Sequence, residues 1–423
     1  MTDLSPDVPP RWRRVALALS MFLTTGVFGF LQPFVPLYLI SAGLSKSQYG
    51  LVTAMGTATA LLIQPILGRI SDRLDARRPL MVVAAVCAGG AYLAYRAADS
   101  LLAFTLLTAA GVNGFQYLNA VGGVLVGRLA TVNQGGGAAY IGYRIWGSVG
   151  YILIALGTGL LVNPTLSGRA TLTRADLNTA FSYGPLLFFL IAAVALLVPD
   201  PRRAAPVTLP ETVSEEERSA SRQGQQDRNR NLNHFLLAYF LYQFSLYGAS
   251  AYLPLYMKAM GATPLWITAM FAAGVICEVL VMTRVGRWTD IHGRRPALIF
   301  AFLLMPLRLL LYIPATGPLW VLAVQTLHGL NFGIVGTIAI VFINDLANDR
   351  DRGALQARLA GTAGVGLALG PLTCGWLAQK WSIGGMFAIM SLIGAAGAVV
   401  LLTKVRESHP SPVPLTGKLS WLG

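Results

Sequence analysis

The chain has 423 residues, of which 55% are hydrophobic and only 12% are charged. A soluble domain carries about 25% charged residues, so this composition excludes a single water-soluble core. The formal net charge of +14 would suit a nucleic-acid-binding protein, but the long apolar runs leave no soluble basic face to follow phosphates. The sequence therefore predicts a membrane protein that does not bind nucleic acid.

Twelve apolar runs are long enough to cross the hydrocarbon core of a bilayer, which needs about 20 helical residues. All are predicted to be helices, because lipid offers no water to hydrogen bond an open backbone. The predicted fold class is thus an all-α membrane protein. The predicted spans are 15–40, 48–67, 80–95, 101–126, 141–162, 180–198, 232–257, 264–285, 297–314, 319–343, 357–379 and 383–403.

The distribution of Lys and Arg predicts the orientation of the chain. With an even number of spans, both termini lie on one side, and most of the 32 Lys and Arg residues fall on that side. This asymmetry predicts a multi-pass protein of the cytoplasmic (inner) membrane with both termini in the cytoplasm. The few basic residues on the other side are Lys46, Arg96, Arg169, Arg174, Lys258 and Lys380.

The segment 199–231 differs from its surroundings, because it is rich in Pro and in charges of both signs. Such a composition buries little apolar surface and indicates a connection rather than a span. We therefore predict an N-terminal six-helix bundle in residues 1–198 and a cytoplasmic linker in residues 199–231. Residues 232–423 are predicted to form a C-terminal six-helix bundle and a cytoplasmic tail.

A short charged motif occurs twice, 218 residues apart, each time between the second and third spans of a half. The two copies are Gly68-Arg-Ile-Ser-Asp72-Arg73-Leu-Asp-Ala-Arg77-Arg78 and Gly286-Arg287-Trp-Thr-Asp290-Ile-His-Gly293-Arg294-Arg295. They resemble the loop motif of the major facilitator superfamily of secondary transporters, Gly-x-x-x-Asp-Arg-x-Gly-Arg-Arg. The second copy departs from it at Ile291, and the first at Asp75 and Ala76.

This resemblance implies two pseudo-symmetric six-helix bundles that rock about a substrate near the bilayer midplane. The acidic residue of each motif is expected to hold one transport state by binding a neighbouring helix end electrostatically. The predicted gating residues are Gly68, Asp72, Arg73, Gly286, Asp290 and Arg294.

Ionisable groups inside spans are costly and by default indicate a pathway or a site. The candidates are Arg144 in span five, Glu278 in span eight, Arg308 in span nine and His328 in span ten. Each also has a structural alternative. Arg144 could be an ordinary basic residue at the start of a span, and Glu278 could be a structural partner of an Arg or Tyr. The role of Arg308 and His328 could be limited to holding neighbouring helices together.

The same positions resemble the lactose permease and phenylpropionate permease branch of that superfamily. There, a span-five Arg contacts substrate and an aromatic ring stacks on it, which Arg144, Ser148 and Tyr151 match here. The branch has a protonating Glu where this chain has Asn331, and its span-four carboxylate has no acidic match, only Gln116 and Asn119. The predicted substrate-binding residues are Arg144, Ser148, Tyr151, Asn119, Glu278, Arg308, His328 and Asn331, with proton coupling at Glu278 and His328.

The sequence thus predicts a secondary active transporter of a small organic solute, sugar-like or anionic, working by alternating access as a proton symporter. Proton-driven efflux of drugs or metabolites is the alternative, and a non-transporting membrane sensor is the alternative from another class. No HExxH, GxSxG or P-loop pattern indicates an enzyme or an ATP-driven pump. We expect a monomer whose partners are substrate, protons and the bilayer, with no cofactor and no metal site.

The charges of the predicted site indicate a substrate class. Arg144 and Arg308 are positive and Glu278 is negative, and an Arg near the midplane needs a partner, because an unpaired charge there is costly. A substrate carboxylate or phosphate would complete the pairing bidentately. The sequence therefore favours a small organic anion, or an acidic or aromatic sugar derivative, over a neutral disaccharide.

Overall fold

The computed structural model describes residues 11–74, 77–132, 136–163, 172–197, 215–348 and 351–409, and this part of the chain is almost entirely helical. Part of the predicted linker (199–214) and the end of the tail (410–423) lie outside the described residues. The helices are α1 (Arg11–Ser41), α2 (Lys46–Arg73), α3 (Arg77–Ala94), α4 (Leu101–Val132), α5 (Gly136–Leu161), α6 (Arg174–Tyr183), α7 (Leu186–Ala195), α8 (Glu215–Ala259), α9 (Pro264–His292), α10 (Arg295–Tyr312), α11 (Pro318–Leu346), α12 (Arg352–Lys380) and α13 (Ile383–Lys404).

Every predicted span coincides with a helix, and the sixth consists of two helices. Among the described residues, ten helical segments are long and apolar enough to cross a membrane, with α6 and α7 counted as one. α8 and α12 complete the twelve spans of the predicted fold. The break between α6 and α7 falls at Gly184 and Pro185, where Pro provides no backbone N–H for the helical hydrogen-bond pattern.

The ends of several helices differ from the sequence prediction. The largest difference is at α8, which begins at Glu215, so residues 215–231 of the predicted linker are the first part of this helix. α2 continues to Arg73 and α9 to His292, so the first residues of both charged motifs are helical and not part of a loop. α6 begins at Arg174, six residues before the predicted span, because Thr173 and Asp176 form a capping box that satisfies the first backbone N–H groups. Hydropathy alone does not detect these polar helix ends.

The two halves have the same helix-packing pattern. In the first, α1 packs on α5, α2 on α4, and α3 on α4 and α7; in the second, α8 packs on α12, α9 on α11, and α10 on α11 and α13. Glycine permits the closest crossings in both. A Cβ on Gly26 would lie 3.0 Å from the carbonyl oxygen of Gly150, and one on Gly248 would lie 2.9 Å from that of Gly370. The chain therefore consists of two pseudo-symmetric six-helix bundles.

The halves meet along α2 with α12 and α5 with α9. Their shared hydrogen bonds in the described chain lie mainly at the end that carries Lys46. The Lys46 backbone N–H donates to Gln379 Oε1 at 3.2 Å, and the hydroxyl of Tyr252 on α8 donates to the Lys46 carbonyl at 3.0 Å. At the opposite end, which carries the charged motifs, a Cβ on Gly68 or Gly286 would meet no atom of the described residues within 4 Å. The described contacts thus close the Lys46 end.

Candidate functional site

A cavity of about 430 Å³ lies between the two halves, with walls from α1 to α5 on one side and α8, α9, α11 and α12 on the other. Its position between the bundles is the one that an alternating-access transporter needs for its substrate. Six of the eight predicted substrate-binding residues line it: Asn119, Arg144, Ser148, Tyr151, Glu278 and His328.

The charged pair of the cavity joins the two halves. Arg144 Nη2 lies 4.0 Å from Glu278 Oε1, and Arg144 Nη1 donates to Ser148 Oγ at 3.4 Å, one turn further along α5. The Arg144 side chain is 34% exposed, whereas that of Glu278 is 8% exposed. The guanidinium therefore keeps free donor capacity toward the cavity while its partner carboxylate is held in the wall.

An aromatic group forms the wall beside this pair. The rings of Phe28 and Phe115 stack with their centroids 5.5 Å apart, and Tyr151 lies 6.2 Å from Phe28. The Tyr151 hydroxyl donates to Gln32 Oε1 at 2.5 Å, which fixes the ring. Phe28, Gln32 and Phe115 line the cavity but are absent from the sequence-based site. Phe28 and Gln32 are four residues apart on one face of α1, a signal that could have identified them.

His328 lines the cavity, whereas Arg308 lies behind it. Arg308 is fully buried, and its Nη1 is 2.5 Å from His328 Nδ1. Because a guanidinium can only donate, His328 Nδ1 must accept, so the neutral imidazole carries its proton on Nε2. Arg308 thereby positions His328 as a hydrogen-bond donor. The prediction that Arg308 itself lines the cavity is not met in this conformation.

Asn331 is also outside the cavity wall. It is fully buried, and its Nδ2 donates to the carbonyl of Ala301 on α10 at 2.7 Å. Among the described residues, its Oδ1 and the Nε and Nη2 of Arg308 have no hydrogen-bond partner. In this conformation neither residue reaches the space available to a substrate, and their role in binding stays a prediction.

The acidic residue of each motif pairs with an Arg at the start of the next helix. Asp72, which is 53% exposed, accepts from Arg77 at 2.7 Å, and Asp290 accepts from Arg294 at 2.5 Å. Arg294 also bonds Asp345 at the end of α11 at 3.1 Å. Burial lowers the pKa of Arg294, but its bonds to Asp290 and Asp345 outweigh burial and raise that pKa above its usual value.

The other predicted gating residues lie on the same helix ends. Gly68 and Arg73 belong to the last two turns of α2, and Gly286 to the last two turns of α9. Arg73 is exposed. The structure thus brings each motif together as a helix end with a local ion pair. Asp290 lies twelve residues beyond Glu278 in α9, which is about 18 Å along the helix axis. The gating role of both motifs stays a prediction.

Comparison with known proteins places the chain in a family. The family model described as "MFS_1 like family" matches residues 14–389. The chain belongs to this family of the major facilitator superfamily. An uncharacterized MFS-type transporter of Mycobacterium tuberculosis is 27% identical over 424 residues and covers 96% of each chain. The maltose permease of Geobacillus stearothermophilus is 26% identical over 409 residues, which is 94% of this chain and 96% of the permease.

Solved structures agree with this assignment at the level of the fold. A mutant of the nucleoside transporter NupG superposes with a TM-score of 0.74 at 14% identity, covering 93% of this chain and 100% of that one. The family match and the MFS-type relatives show that this major facilitator protein is a multi-pass membrane transporter of a small molecule and not an enzyme. Its particular resemblance to the lactose permease branch stays a prediction.

Proposed function

We propose that this MFS transporter takes up a sugar-like solute through the cytoplasmic membrane in symport with protons. The observation that carries the proposal is the Arg144–Glu278 pair, which joins the two halves at 4.0 Å beside an aromatic wall. A guanidinium that donates and a carboxylate that accepts can together bind the hydroxyl groups of one ring. The apolar face of the same ring fits against Phe28 and Tyr151.

The position of Arg308 changes the expected preference for substrate charge. The prediction of an anionic substrate depended on Arg308 as a second positive charge in the cavity, but this residue is fully buried behind His328. Of the described residues on the wall, Arg144 is the only Lys or Arg and Glu278 the only carboxylate. These two charges balance, which supports a neutral polyhydroxylated ring over an organic anion. The name of the maltose permease relative is consistent with that class.

Proton coupling is assigned to Glu278. Burial disfavours its charged form, whereas the nearby Arg144 favours it. A substrate that binds Arg144 weakens this pairing and so favours proton uptake by Glu278, which links the two events. The bond that His328 accepts from Arg308 supports a hydrogen-bonding role for His328 instead of a second proton site.

We also propose that both termini lie in the cytoplasm and that a single chain transports substrate. Lys and Arg are concentrated on the side of the termini and charged motifs, which supports cytoplasmic termini. Because the cavity is formed by both halves of one chain, one chain is proposed to be the transporting unit.

The test uses purified protein in proteoliposomes with an inside-alkaline pH gradient. A thermal-shift screen of sugars, nucleosides, dicarboxylates and drugs first selects a ligand, since ligands of the native state raise its apparent stability. Uphill uptake of a neutral sugar, abolished by a protonophore, is the expected result. Glu278→Gln should retain substrate exchange and lose uphill uptake, while Asp99→Asn, an exposed carboxylate outside the cavity, should behave as wild type.

Three results would contradict the proposal. Uphill uptake by Glu278→Gln would show that Glu278 does not carry the coupled proton. Preferential transport of anions over their neutral amides would support the organic anion that the sequence favours as substrate, and not a neutral sugar. Export of ligand from vesicles of defined orientation, driven by the same gradient, would establish proton-driven efflux instead.

A further inference from the structure

A second cavity, of about 530 Å³, lies at the end of the molecule that carries the charged motifs. Its walls come from the first part of α8, the start of α10 and the segment that follows α13. Asn231 fixes two of these walls, because its Nδ2 donates to the Arg406 carbonyl at 3.2 Å and its Oδ1 accepts from the Arg406 backbone N–H at 2.7 Å. Arg295 fixes the third by donating from Nε to the Val405 carbonyl at 2.9 Å.

Four basic side chains (Arg230, Arg295, Lys404 and Arg406) and two acidic ones (Asp227 and Glu407) line this cavity, so positive charge is in excess. The side chains of Arg230, Lys404 and Arg406 line it, and no ion pair or hydrogen bond to these three side chains is present in the part of the chain that the structure describes. Glu407 also lies on the wall, but its two oxygens accept from the backbone N–H groups of Arg294 and Arg295 at 2.9 Å each. Its charge is therefore directed at the N-terminus of α10.

The same site lies where the helices change from polar to apolar. α8 is polar up to Asn231 and becomes apolar within the next turn, and α13 is apolar up to Leu402 and ends at Lys404. Just inside that boundary the three helices expose Leu237 (49%), Phe300 (49%) and Val399 (55%). A ligand here would meet cations outside the hydrocarbon layer and apolar side chains inside it.

We infer that this cavity binds the phosphate headgroup of an anionic phospholipid. The phosphodiester would pair with Arg230 and Arg406, and Arg is suited to this pairing because its planar fork matches two phosphate oxygens. The acyl chains would run along the exposed apolar side chains. Basic pockets between spans on the cytoplasmic side of membrane proteins bind anionic lipid headgroups in this way. A bound lipid would join α8, α10 and α13 and so stabilise the second half.

The experiment uses the full chain in mixed micelles of phosphatidylglycerol and phosphatidylcholine, with native mass spectrometry to count retained lipids. Wild type should retain phosphatidylglycerol in preference to phosphatidylcholine, and Arg230→Gln/Arg406→Gln should lower that preference by about tenfold, since each basic group at an anionic surface contributes several-fold. The charge-matched control is Arg284→Gln/Arg287→Gln, two exposed Arg residues of α9 outside this cavity, which should keep the preference.

Three outcomes overturn the inference. The first is that wild type retains both lipids equally. The second is that the control variant loses the preference as much as Arg230→Gln/Arg406→Gln does. The third is that inorganic phosphate without retained lipid protects wild type against heat as well as phosphatidylglycerol does, which would identify soluble phosphate as the ligand. If the double variant does not fold, Lys404→Gln replaces it. The Lys404 side chain is exposed and without a described bond, and this variant should show a smaller loss in the same direction.

Discussion

The guanidinium of Arg144 on α5 lies 4.0 Å from the carboxylate of Glu278 on α9, so the ion pair joins the two halves at the substrate cavity. Any motion that separates α5 from α9 must break this pair, and any ligand that enters the cavity can compete for it. Binding, protonation and the relative position of the halves are therefore connected through one contact.

Arg144→Lys should lower transport by about tenfold or more, because Lys keeps the charge but loses the planar fork that can bind two groups at once. The measurement is initial uptake in proteoliposomes together with ligand affinity. Arg284→Lys is the control, since among the described residues that exposed Arg bonds only the carbonyl of Leu280 in its own helix, at 2.9 Å. Uptake by Arg144→Lys equal to that of wild type would show that Arg144 is only a basic residue at the start of a span.

His328 should be neutral with its proton on Nε2 at neutral pH, because Arg308 occupies Nδ1 as a donor at 2.5 Å. ¹⁵N chemical shifts of the imidazole distinguish the two tautomers, and His328→Gln assigns the signal among the four His residues of the chain. Arg308→Gln keeps an N–H donor and should retain this tautomer, whereas Arg308→Met should yield a mixture. An Nδ1–H tautomer in wild type would show that Arg308 does not donate to Nδ1 and so does not set the tautomer of His328.

The sequence alone could predict the spans, the repeat and the charged pair of the cavity, but not the aromatic wall that Phe28 and Phe115 form. Hydropathy and the two motifs are local properties of the chain, so they do not depend on how the helices are rotated against each other. Whether a residue reaches the cavity does depend on rotation. His328 and Asn331 are three residues apart and point in directions that differ by about 60°, and only His328 lines the cavity. Arg308 is hidden for the same reason, since α10 is apolar on all sides.

Asp290→Asn should slow transport several-fold with little change in substrate affinity. Asp290 holds Arg294 at 2.5 Å together with Asp345, and these bonds connect the ends of α9, α10 and α11 far from the cavity. Asp72→Asn should have the same kind of effect, because Asp72 holds Arg77 in the first half. Initial rates and equilibrium binding measured on the same preparation separate the two quantities. A large loss of affinity with unchanged conformational populations would argue that the motifs contact substrate.

Gly50→Ala should shift the protein away from the conformation that is closed at the Lys46 end. A Cβ on Gly50 would lie 2.5 Å from the carbonyl oxygen of Pro371 on α12, and backbone atoms at that distance must move apart. Distances between spin labels on α2 and α12 near that end should increase. Gly90→Ala on α3 is the matched control, since its Cβ would meet no atom within 4 Å in the part of the chain that the structure describes. Identical distance distributions in wild type and Gly50→Ala would contradict the proposed closure.

The pair formed by Arg228 and Asp351 should make thermal stability depend on pH. Arg228 Nη2 donates to Asp351 Oδ2 at 2.7 Å, and the Asn348 backbone N–H donates to Asp351 Oδ1 at 2.7 Å. Burial raises the pKa of Asp351, but these bonds from Asn348 and Arg228 outweigh it and lower that pKa below its usual value. A carboxyl with a lowered folded-state pKa stabilises the fold above its unfolded pKa, which is about 3.9, and loses that contribution as the pH falls through the folded value.

The Tm of wild type should therefore exceed that of Asp351→Asn by roughly 1–2 °C at pH 6, and the difference should vanish as the pH is lowered below about 4. Arg228→Gln removes the other partner and should behave like Asp351→Asn. Asp99→Asn is the control, because Asp99 is exposed and should change Tm equally little at every pH. A Tm difference for Asp351→Asn that stays constant from pH 6 to below pH 4 would mean that the variant acts through packing or helix capping and not through the charge of Asp351.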